Sequence, residues 1–496
     1  MAAAYHFAIL FLLTYFLTVS FANEDELLIT TKDGQVQGKL LQAVDGEVRA
    51  FLGIPFAKPP LGNLRFRAPE PVEPWEGMKD ATEYSNSCYQ FPDSTFPATS
   101  FQCWPMLVPV HSWCKILGVF GFLSLPDNQN VRGNAALLDQ RLAIQWAVNN
   151  IAAFGGDPSK VTIFGESAGS ACVGYHVISP GSNGLFQRAI MQSGVPTASW
   201  ASLSLEETWN RARKLGSLLG CSDPAELEAC LQQVDVNQLA TMQFGVMGPG
   251  LGGYPFIPVV DGVFLPDTIE VCLALMTSES LHKKEVLLGL NRDEGTYFLI
   301  YGVAGFDLDE SLITKKQFLY GIDLMFPGAG YLADGAVMFE YINPANVNFL
   351  AVFRDALIRI VTDVLFICPV QEFAKSYAQI GGKPFLYHFL HRSSVNPWPE
   401  WMGVMHGYEI EFVFGRPLIP SLGYTEEEVE MSKRFMKHWA NFARTGNPGV
   451  DGDTWPMFSP ENKEYVTLDT NLPEKKMNLR GSQCFFWNSL MYLMQL

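Results

Sequence analysis

One serine, Ser167, has a glycine two residues before it and another two residues after it. The run before it, Val161–Phe164, is β-branched and aromatic, and the stretch after it, Ala168–Ile178, is apolar and free of proline. This pattern predicts a strand, a tight turn with Ser167 at its tip, and a buried helix. The glycines leave room for a strained turn, so the hydroxyl would be exposed at the carboxyl edge of a sheet. The alternative is an ordinary Gly/Ser-rich loop.

A serine hydroxyl is a poor nucleophile at neutral pH, so it needs a base, and the base needs a carboxylate to orient it. On a sheet with such a turn, these partners follow along the chain in the order serine, acid, histidine. Glu294 is the candidate acid because it comes just after Glu285–Leu290, which reads as a buried strand. Its neighbour is Asp293, and a solvated turn is the alternative reading.

Three histidines downstream of the candidate acid are candidates for the base. His438 falls within a predicted helix, and His391 falls at the end of a predicted strand. His406 lies between Gly403 and Gly407, in a loop that would let the ring approach a partner closely. Spacing and glycines therefore favour His406.

The composition predicts a large globular protein. The chain has 496 residues, 48% of them hydrophobic, and no Pro/Ser-rich linker or charge block divides it, so residues 23–496 are expected to form a single domain. The net charge of -17 argues against nucleic acid and anionic membranes as partners. In a cleft this charge would favour cationic ligands, although solubility alone is an equally good reason for it.

The N-terminus indicates secretion. Phe7–Ala22 is apolar, too short for a comfortable membrane span, and followed by an acidic stretch. Residues 1–22 therefore predict a cleaved signal peptide, although Lys and Arg are missing before the apolar run. No later segment reaches spanning length without polar interruption, so we expect a soluble, secreted protein.

Helices and buried strands alternate through most of the chain. The pattern from Asn134 to Phe154 is helical, with Asn134 as its candidate cap, and Phe385–Leu390 reads as a further buried strand. Thr425 and Glu428 form a candidate capping box for a later helix. This alternation predicts an α/β fold with a mostly parallel sheet covered on both faces.

The chain has nine cysteines, so at least one has no partner within the chain. Cys221 and Cys230 flank a short acidic loop and form a candidate local bridge, and Cys368 with Cys484 would tie the C-terminal end to the body. Two others lie in apolar stretches and are expected to be buried thiols: Cys172 and Cys272.

Three separated segments resemble one family. Residues 154–169 resemble the active-site signature of the type-B carboxylesterases, and residues 398–412 and 439–448 resemble its cholinesterase branch. The likeness runs through nearly all of 27–97 and 118–490. It implies an α/β-hydrolase fold and a secreted serine esterase that hydrolyses choline or related esters through an acyl-enzyme. It implies no metal or organic cofactor, and a homodimer is a candidate assembly.

The resemblance also assigns roles to residues. It implies that Ser167, Glu294 and His406 form the triad, that the Ala168 amide is one oxyanion-hole donor, and that both proposed disulfides form. The substrate would be a small cationic or neutral ester held by aromatic faces and an anion; core packing is the alternative for the aromatics. The implied substrate and peripheral residues are Glu166 near a choline head, Trp200, Gly252 and Tyr254 around the acyl pocket, Tyr297, Phe298 and Tyr301 along an aromatic wall, and Phe91 and Asp93 at the periphery.

The segment at about 98–117 departs from the family. By resemblance it lacks several dozen residues, including the choline-binding tryptophan, the glycine-rich oxyanion loop and the partner of Cys88. Trp104 could replace that tryptophan and Cys103 could pair with Cys88, while Cys114 has no obvious pairing. Losing one oxyanion donor typically costs about a hundred- to a thousandfold in kcat. A catalytically impaired binding or adhesion protein, or an aberrant splice form, is therefore the alternative to an active esterase.

Overall fold

The computed structural model describes residues 24–43, 46–85, 118–248, 250–276, 284–303, 305–307, 309–343, 350–450 and 455–494. The predicted signal peptide lies outside these ranges. So do several residues singled out in the sequence: Cys88, Phe91, Asp93, Cys103, Trp104 and Cys114.

The largest sheet in the described ranges has six strands in the order β11-β10-β9-β8-β7-β6. Strands β6 to β10 are parallel, and β11 is antiparallel to β10. A small sheet, β1-β2-β5, and a hairpin, β3-β4, precede it. The strands are β1 (Leu28–Thr30), β2 (Gln35–Gln37), β3 (Lys39–Ala43), β4 (Gly46–Ala50), β5 (Met78–Asp80), β6 (Thr162–Glu166), β7 (Arg188–Gln192), β8 (Glu285–Asn291), β9 (Lys383–Phe389), β10 (Glu464–Leu468) and β11 (Glu474–Met477).

Helices connect the parallel strands, as crossover connections require. A π-helical turn, Asp363–Ile367, joins α11 to α12. The helices are α1 (Val119–Phe122), α2 (Ala135–Asn150), α3 (Ala168–Ile178), α4 (Leu205–Leu218), α5 (Leu227–Gln233), α6 (Val236–Met242), α7 (Ile269–Ala274), α8 (Gly295–Gly302), α9 (Lys315–Met325), α10 (Gly330–Tyr341), α11 (Leu350–Thr362), α12 (Cys368–Gln379), α13 (Ile410–Val413), α14 (Glu426–Thr445) and α15 (Gly481–Met494).

The central strands are buried on both faces. Along β8, Val286 and Leu288 belong to the larger hydrophobic core, whereas Leu287 between them belongs to a second core on the opposite face. Neighbouring side chains of a strand point to opposite faces, so each face of the sheet must be covered by helices. The predicted α/β architecture is therefore confirmed.

Local signals predicted some helix ends but not all. The capping box of Thr425 and Glu428 at the start of α14 is confirmed, with both reciprocal hydrogen bonds present. The predicted cap at Asn134 is wrong: its side chain makes no cap hydrogen bond with α2. Instead, Asn134 Nδ2 donates to the Val259 carbonyl (2.7 Å), and Oδ1 accepts from the Val259 amide (3.0 Å). A tertiary contact thus replaces the local one.

Both predicted disulfides are present. Cys221 bonds to Cys230, and Cys368 at the start of α12 bonds to Cys484 in α15. Cys272 is a buried thiol, as predicted, and its Sγ donates to the Asp267 carbonyl (3.2 Å). Cys172 is only half-buried.

The two disulfides should differ in their effect on stability because their sequence separations are 116 and 9 residues. Cross-linking a longer loop removes more entropy from the unfolded chain. We predict that replacing Cys368 and Cys484 by serine lowers the free energy of unfolding by about 2–5 kcal/mol, and that the same change at Cys221 and Cys230 costs about 2 kcal/mol less. Urea denaturation of the two double variants tests this. An equal loss in both would contradict the loop-length explanation.

Candidate active site

The turn between β6 and α3 is as tight as the two glycines predict. Ser167 has φ 58° and ψ −121°, and its amide donates to the Gln192 carbonyl (2.8 Å). A Cβ on Gly165 would lie 2.5 Å from the backbone of Gly169, and one on Gly194 would lie 2.5 Å from the Ser167 carbonyl oxygen. Only glycine fits at either position, so the serine is held at the tip of a crowded turn.

Glu294 follows β8 and is fully buried. Its Oε1 accepts hydrogen bonds from the Ser193 hydroxyl (2.6 Å) and the Asn291 amide (2.7 Å). Its Oε2 lies 2.6 Å from Nδ1 of His406. Both carboxylate oxygens are therefore engaged, which fixes the group and aims one oxygen at the imidazole.

Asp293, the neighbour of Glu294, has a different contact. Its amide donates to the Val404 carbonyl (2.9 Å), and its Oδ2 accepts from the Val404 amide (2.7 Å). Gly403 has φ 65°, and a Cβ there would lie 2.1 Å from Asp293 Oδ2. Asp293 thus joins the loop after β8 to the loop that carries His406, and a glycine at position 403 makes this close approach possible.

Glu409 is a buried carboxylate behind the histidine that the sequence reading did not single out for a role. It accepts hydrogen bonds from Gln192 Nε2 (2.9 Å) and Asn291 Nδ2 (2.6 Å), and Asn291 Nδ2 also donates to the Met405 carbonyl (2.8 Å). Burial, and then the charge of Glu294, raise the pKa of Glu409. The sequence signal that could have pointed to this group is the position of its donors. Gln192 and Asn291 each end a strand, and the two strands are parallel neighbours.

The second nitrogen of His406 faces Glu166 rather than the serine. Nε2 lies 3.2 Å from Glu166 Oε1, and it has no hydrogen-bond partner in the described ranges, so the Ser167 hydroxyl does not hydrogen-bond to it here. Burial lowers the pKa of His406, but the charges of Glu166 and Glu294 outweigh burial and raise it to about 9. Burial raises the pKa of Glu166 to about 8 against the opposing charge of His406.

The two other candidate histidines lie away from this cluster. His391 Nε2 is 2.8 Å from Oε1 of Glu428, the residue that caps α14. His438 Nδ1 is 2.8 Å from the Pro448 carbonyl oxygen. Of the three candidates, only His406 contacts a carboxylate beside the serine turn.

Aromatic rings surround the histidine on its open side. The ring centroids of Phe298 and Tyr297 lie 5.0 and 6.1 Å from that of His406. Phe366, which the sequence reading missed, lies 4.9 Å from it and 5.9 Å from Trp200. Phe366 belongs to the π-helical turn after α11, and a single π-helical turn often marks a functional site.

The remaining predicted substrate residues are more dispersed. Gly252 has φ 86°, and a Cβ there would lie 2.9 Å from the Cβ of Trp200, so this side of the tryptophan is crowded by backbone. Tyr254 and Tyr301 are exposed (37% and 42%). Ala168 is exposed at the start of α3. Across the described residues, no group of three or more His, Cys, Asp or Glu is arranged to hold a metal ion.

Comparison with known proteins identifies the family. The sequence model of the carboxylesterase family matches residues 25–102 and 117–487. This chain belongs to the carboxylesterase family. It is 43% identical to the acetylcholinesterase of Bungarus fasciatus, covering 93% of this chain and 86% of the relative. It is 40% identical to the cholinesterase of Mus musculus (94% and 87% covered) and 40% identical to the acetylcholinesterase of Danio rerio (97% and 91% covered).

Family members are carboxylic ester hydrolases. A cluster of serine, carboxylate and histidine, such as Ser167, Glu294 and His406, is consistent with that chemistry. Residues 103–116 fall between the two matched blocks. The alignment with the Bungarus fasciatus enzyme spans 524 positions, more than the 496 residues of this chain, so that relative has residues for which this carboxylesterase has none. Among the helices that the structure describes, none is long and apolar enough to cross a membrane.

The raised pKa of His406 gives a test of the contact with Glu166. A base must be neutral to accept a proton, so labelling of Ser167 by an organophosphonate should rise with pH, with its midpoint at about 9. Glu166→Gln removes a negative charge that raises this pKa, so the midpoint of the labelling profile should move to lower pH.

The matched control is Glu411→Gln. Glu411 is also a half-buried carboxylate, with a pKa that burial raises to about 7, but it accepts a hydrogen bond from Tyr424 (2.5 Å) rather than contacting His406. Its profile should match the wild type, and Ser167→Ala should give no label. An unchanged midpoint in Glu166→Gln would show that Glu166 does not set the protonation of His406.

Proposed function

We propose that this carboxylesterase is a secreted serine hydrolase of choline or related esters. Ser167 attacks the ester carbonyl, His406 takes the serine proton and returns it to the leaving alcohol, and Glu294 orients the imidazole and balances its charge. An acyl group is held on Ser167 between the two halves of the reaction. The observation that carries the proposal is the 2.6 Å contact of Glu294 with His406, at the sheet edge where the Ser167 turn lies.

The surroundings of His406 support an ester with an apolar or cationic part. The half-buried rings of Phe298 and Tyr297 would supply faces for cation–π contact, and Glu166 adds a negative charge when it is ionised. The names of three relatives, two acetylcholinesterases and a cholinesterase, favour a choline ester. The net charge of -17 would raise the local concentration of a cationic substrate.

A second candidate function is binding without efficient turnover. In the family resemblance, the Ala168 amide is one oxyanion donor, and the other donors come from a glycine-rich loop that this chain lacks between Ser100 and Leu117. In addition, His406 Nε2 lies 3.2 Å from Glu166 Oε1 and makes no hydrogen bond to the Ser167 hydroxyl.

Secretion is part of the proposal. The apolar run within residues 1–22 supports a cleaved signal peptide. The disulfides Cys221–Cys230 and Cys368–Cys484 support folding in an oxidising compartment.

We also propose that a homodimer forms through α10 and α15. The two helices are joined by a hydrogen bond from Gln483 Nε2 to Glu340 Oε1 (2.8 Å). Together they expose large apolar side chains: Tyr331 (94%), Leu332 (92%), Phe339 (87%), Phe485 (76%), Tyr492 (83%) and Leu493 (77%). A patch of this kind is typical of an interface, and a second copy supplies the same helices for a two-fold contact.

The proposal predicts slow turnover by this chain. We expect the family's full segment, inserted between Ser100 and Leu117, to raise kcat/KM for acetyl- or butyrylthiocholine by about ten-thousandfold, because two oxyanion donors are regained. The control is Ser167→Ala in both forms, which should abolish hydrolysis by each. Equal kcat/KM with and without the segment would show that this chain builds its oxyanion hole from other amides.

A further inference from the structure

A proline lies inside the long helical segment that carries Phe366. Helix α11, the π-helical turn Asp363–Ile367 and helix α12 follow one another without a break, and Pro369 is in the first turn of α12. In a continuous α-helix the amide of residue 369 would donate to the Leu365 carbonyl, four positions back. Proline has no amide N–H, and its ring would clash with that carbonyl. The Leu365 carbonyl is therefore without its α-helical donor.

A residue beside the candidate site uses this carbonyl instead. Trp200 Nε1 donates to the Leu365 carbonyl oxygen (2.8 Å), and both residues are buried. A buried indole N–H needs such an acceptor. The next residue, Phe366, is buried too, and its ring centroid lies 4.9 Å from that of His406 and 5.9 Å from that of Trp200. The turn thus holds the indole with its backbone and contacts the imidazole with the neighbouring side chain.

Both ends of the π-helical turn are anchored. At its start, the Asp363 carboxylate accepts hydrogen bonds from Arg480 Nη2 (2.6 Å) and from the Tyr341 hydroxyl (2.6 Å). Directly after its end, Cys368 is bonded to Cys484. The Cys368 amide donates to the Asp363 carbonyl, five residues back, which makes the turn wider than an α-helical one. Because the ends are held, the hydrogen-bond pattern between them decides where the residues of the turn point.

We propose that Pro369 is a positioning residue for His406. Because proline denies the Leu365 carbonyl its helical donor, the turn stays π-helical and this carbonyl points to Trp200. The same geometry sets the Phe366 ring against the imidazole. His406 is the base of the proposed function, on which this role of Pro369 rests. An N–H at position 369 would compete with Trp200 for the Leu365 carbonyl and draw the turn toward an α-helix.

The first measurement follows Trp200 and needs no activity. The chain is labelled with fluorotryptophan, and the fluorine NMR signal of Trp200 is the one that Trp200→Phe removes. Pro369→Ala restores the N–H with the best helix former, so the variant should fold while its Trp200 signal shifts. Pro369→Ser also restores the N–H and should give the same result. Pro417→Ala is the matched control, because Pro417 is buried in a separate short turn, Arg416–Leu418, and the Trp200 signal should stay in place.

The second measurement follows the histidine. Organophosphonate labelling of Ser167 needs His406 as base, so its rate should fall about ten- to a hundredfold in Pro369→Ala, as it does when a reacting group is slightly misplaced. The rate in Pro417→Ala, and the KM of Pro369→Ala for p-nitrophenyl butyrate, should change little. Phe366→Leu should also slow labelling, and adding Pro369→Ala to it should have little further effect, since the proline acts through that ring. A loss of stability alone would slow labelling in both backgrounds.

An unmoved Trp200 signal in Pro369→Ala would overturn the inference, because the anchors at Asp363 and Cys368 would then set the turn without the proline. A shifted signal with an unchanged labelling rate would overturn the role of Pro369 in positioning His406. If Ser167 of the wild type takes no label, the proposed function fails, whereas the fluorine signal still decides whether Pro369 sets the turn.

Discussion

The hydrogen bond between Glu294 and His406 is the contact on which the candidate site depends. It joins the loop after β8 to the loop after β9, and these strands are neighbours in the parallel sheet. A buried carboxylate is costly unless its oxygens are bonded, and here Ser193, Asn291 and His406 bond them. The register of three parallel strands, β7, β8 and β9, is therefore what allows the charge to be buried. Removing either partner from such a buried pair typically costs about 3–5 kcal/mol.

The histidine has more negative neighbours than one base requires. Glu166 and Glu294 both contact His406, and Glu409 lies behind it in the same hydrogen-bonded group. Negative charge beside the ring favours the protonated imidazole. The serine needs a neutral imidazole as its base, so negative charge around His406 opposes the first proton transfer. Once the tetrahedral intermediate forms, the imidazole carries a positive charge, and the same negative charge stabilises it.

Sequence patterns predicted features whose interactions are local. The turn at Ser167 and the capping box of Thr425 and Glu428 each involve residues only a few positions apart, and the structure contains both. The predicted cap at Asn134 was wrong because a local pattern cannot reveal Val259, which lies 125 positions further along the chain. The Asn134 side chain hydrogen-bonds to the backbone of Val259 instead. Glu294 was found because it follows the buried strand Glu285–Leu290, and His406 because glycines flank its loop.

The contacts that the sequence did not predict are those that depend on side-chain direction. Glu166 immediately precedes the serine, and nothing in its pattern distinguishes a side chain that faces a ligand from one that faces His406. Phe366 reaches the histidine through a π-helical turn, which has no recognisable sequence period.

The central claim is that Ser167 forms an acyl-enzyme with the help of His406 and Glu294. Rapid mixing with p-nitrophenyl butyrate, followed by intact-mass and peptide analysis, tests it most directly. The account predicts a burst of p-nitrophenolate no larger than one equivalent per chain, a butyryl group on the Ser167 peptide, and neither in Ser167→Ala. A burst of the same size in Ser167→Ala, or a butyryl group only on another residue, would contradict it.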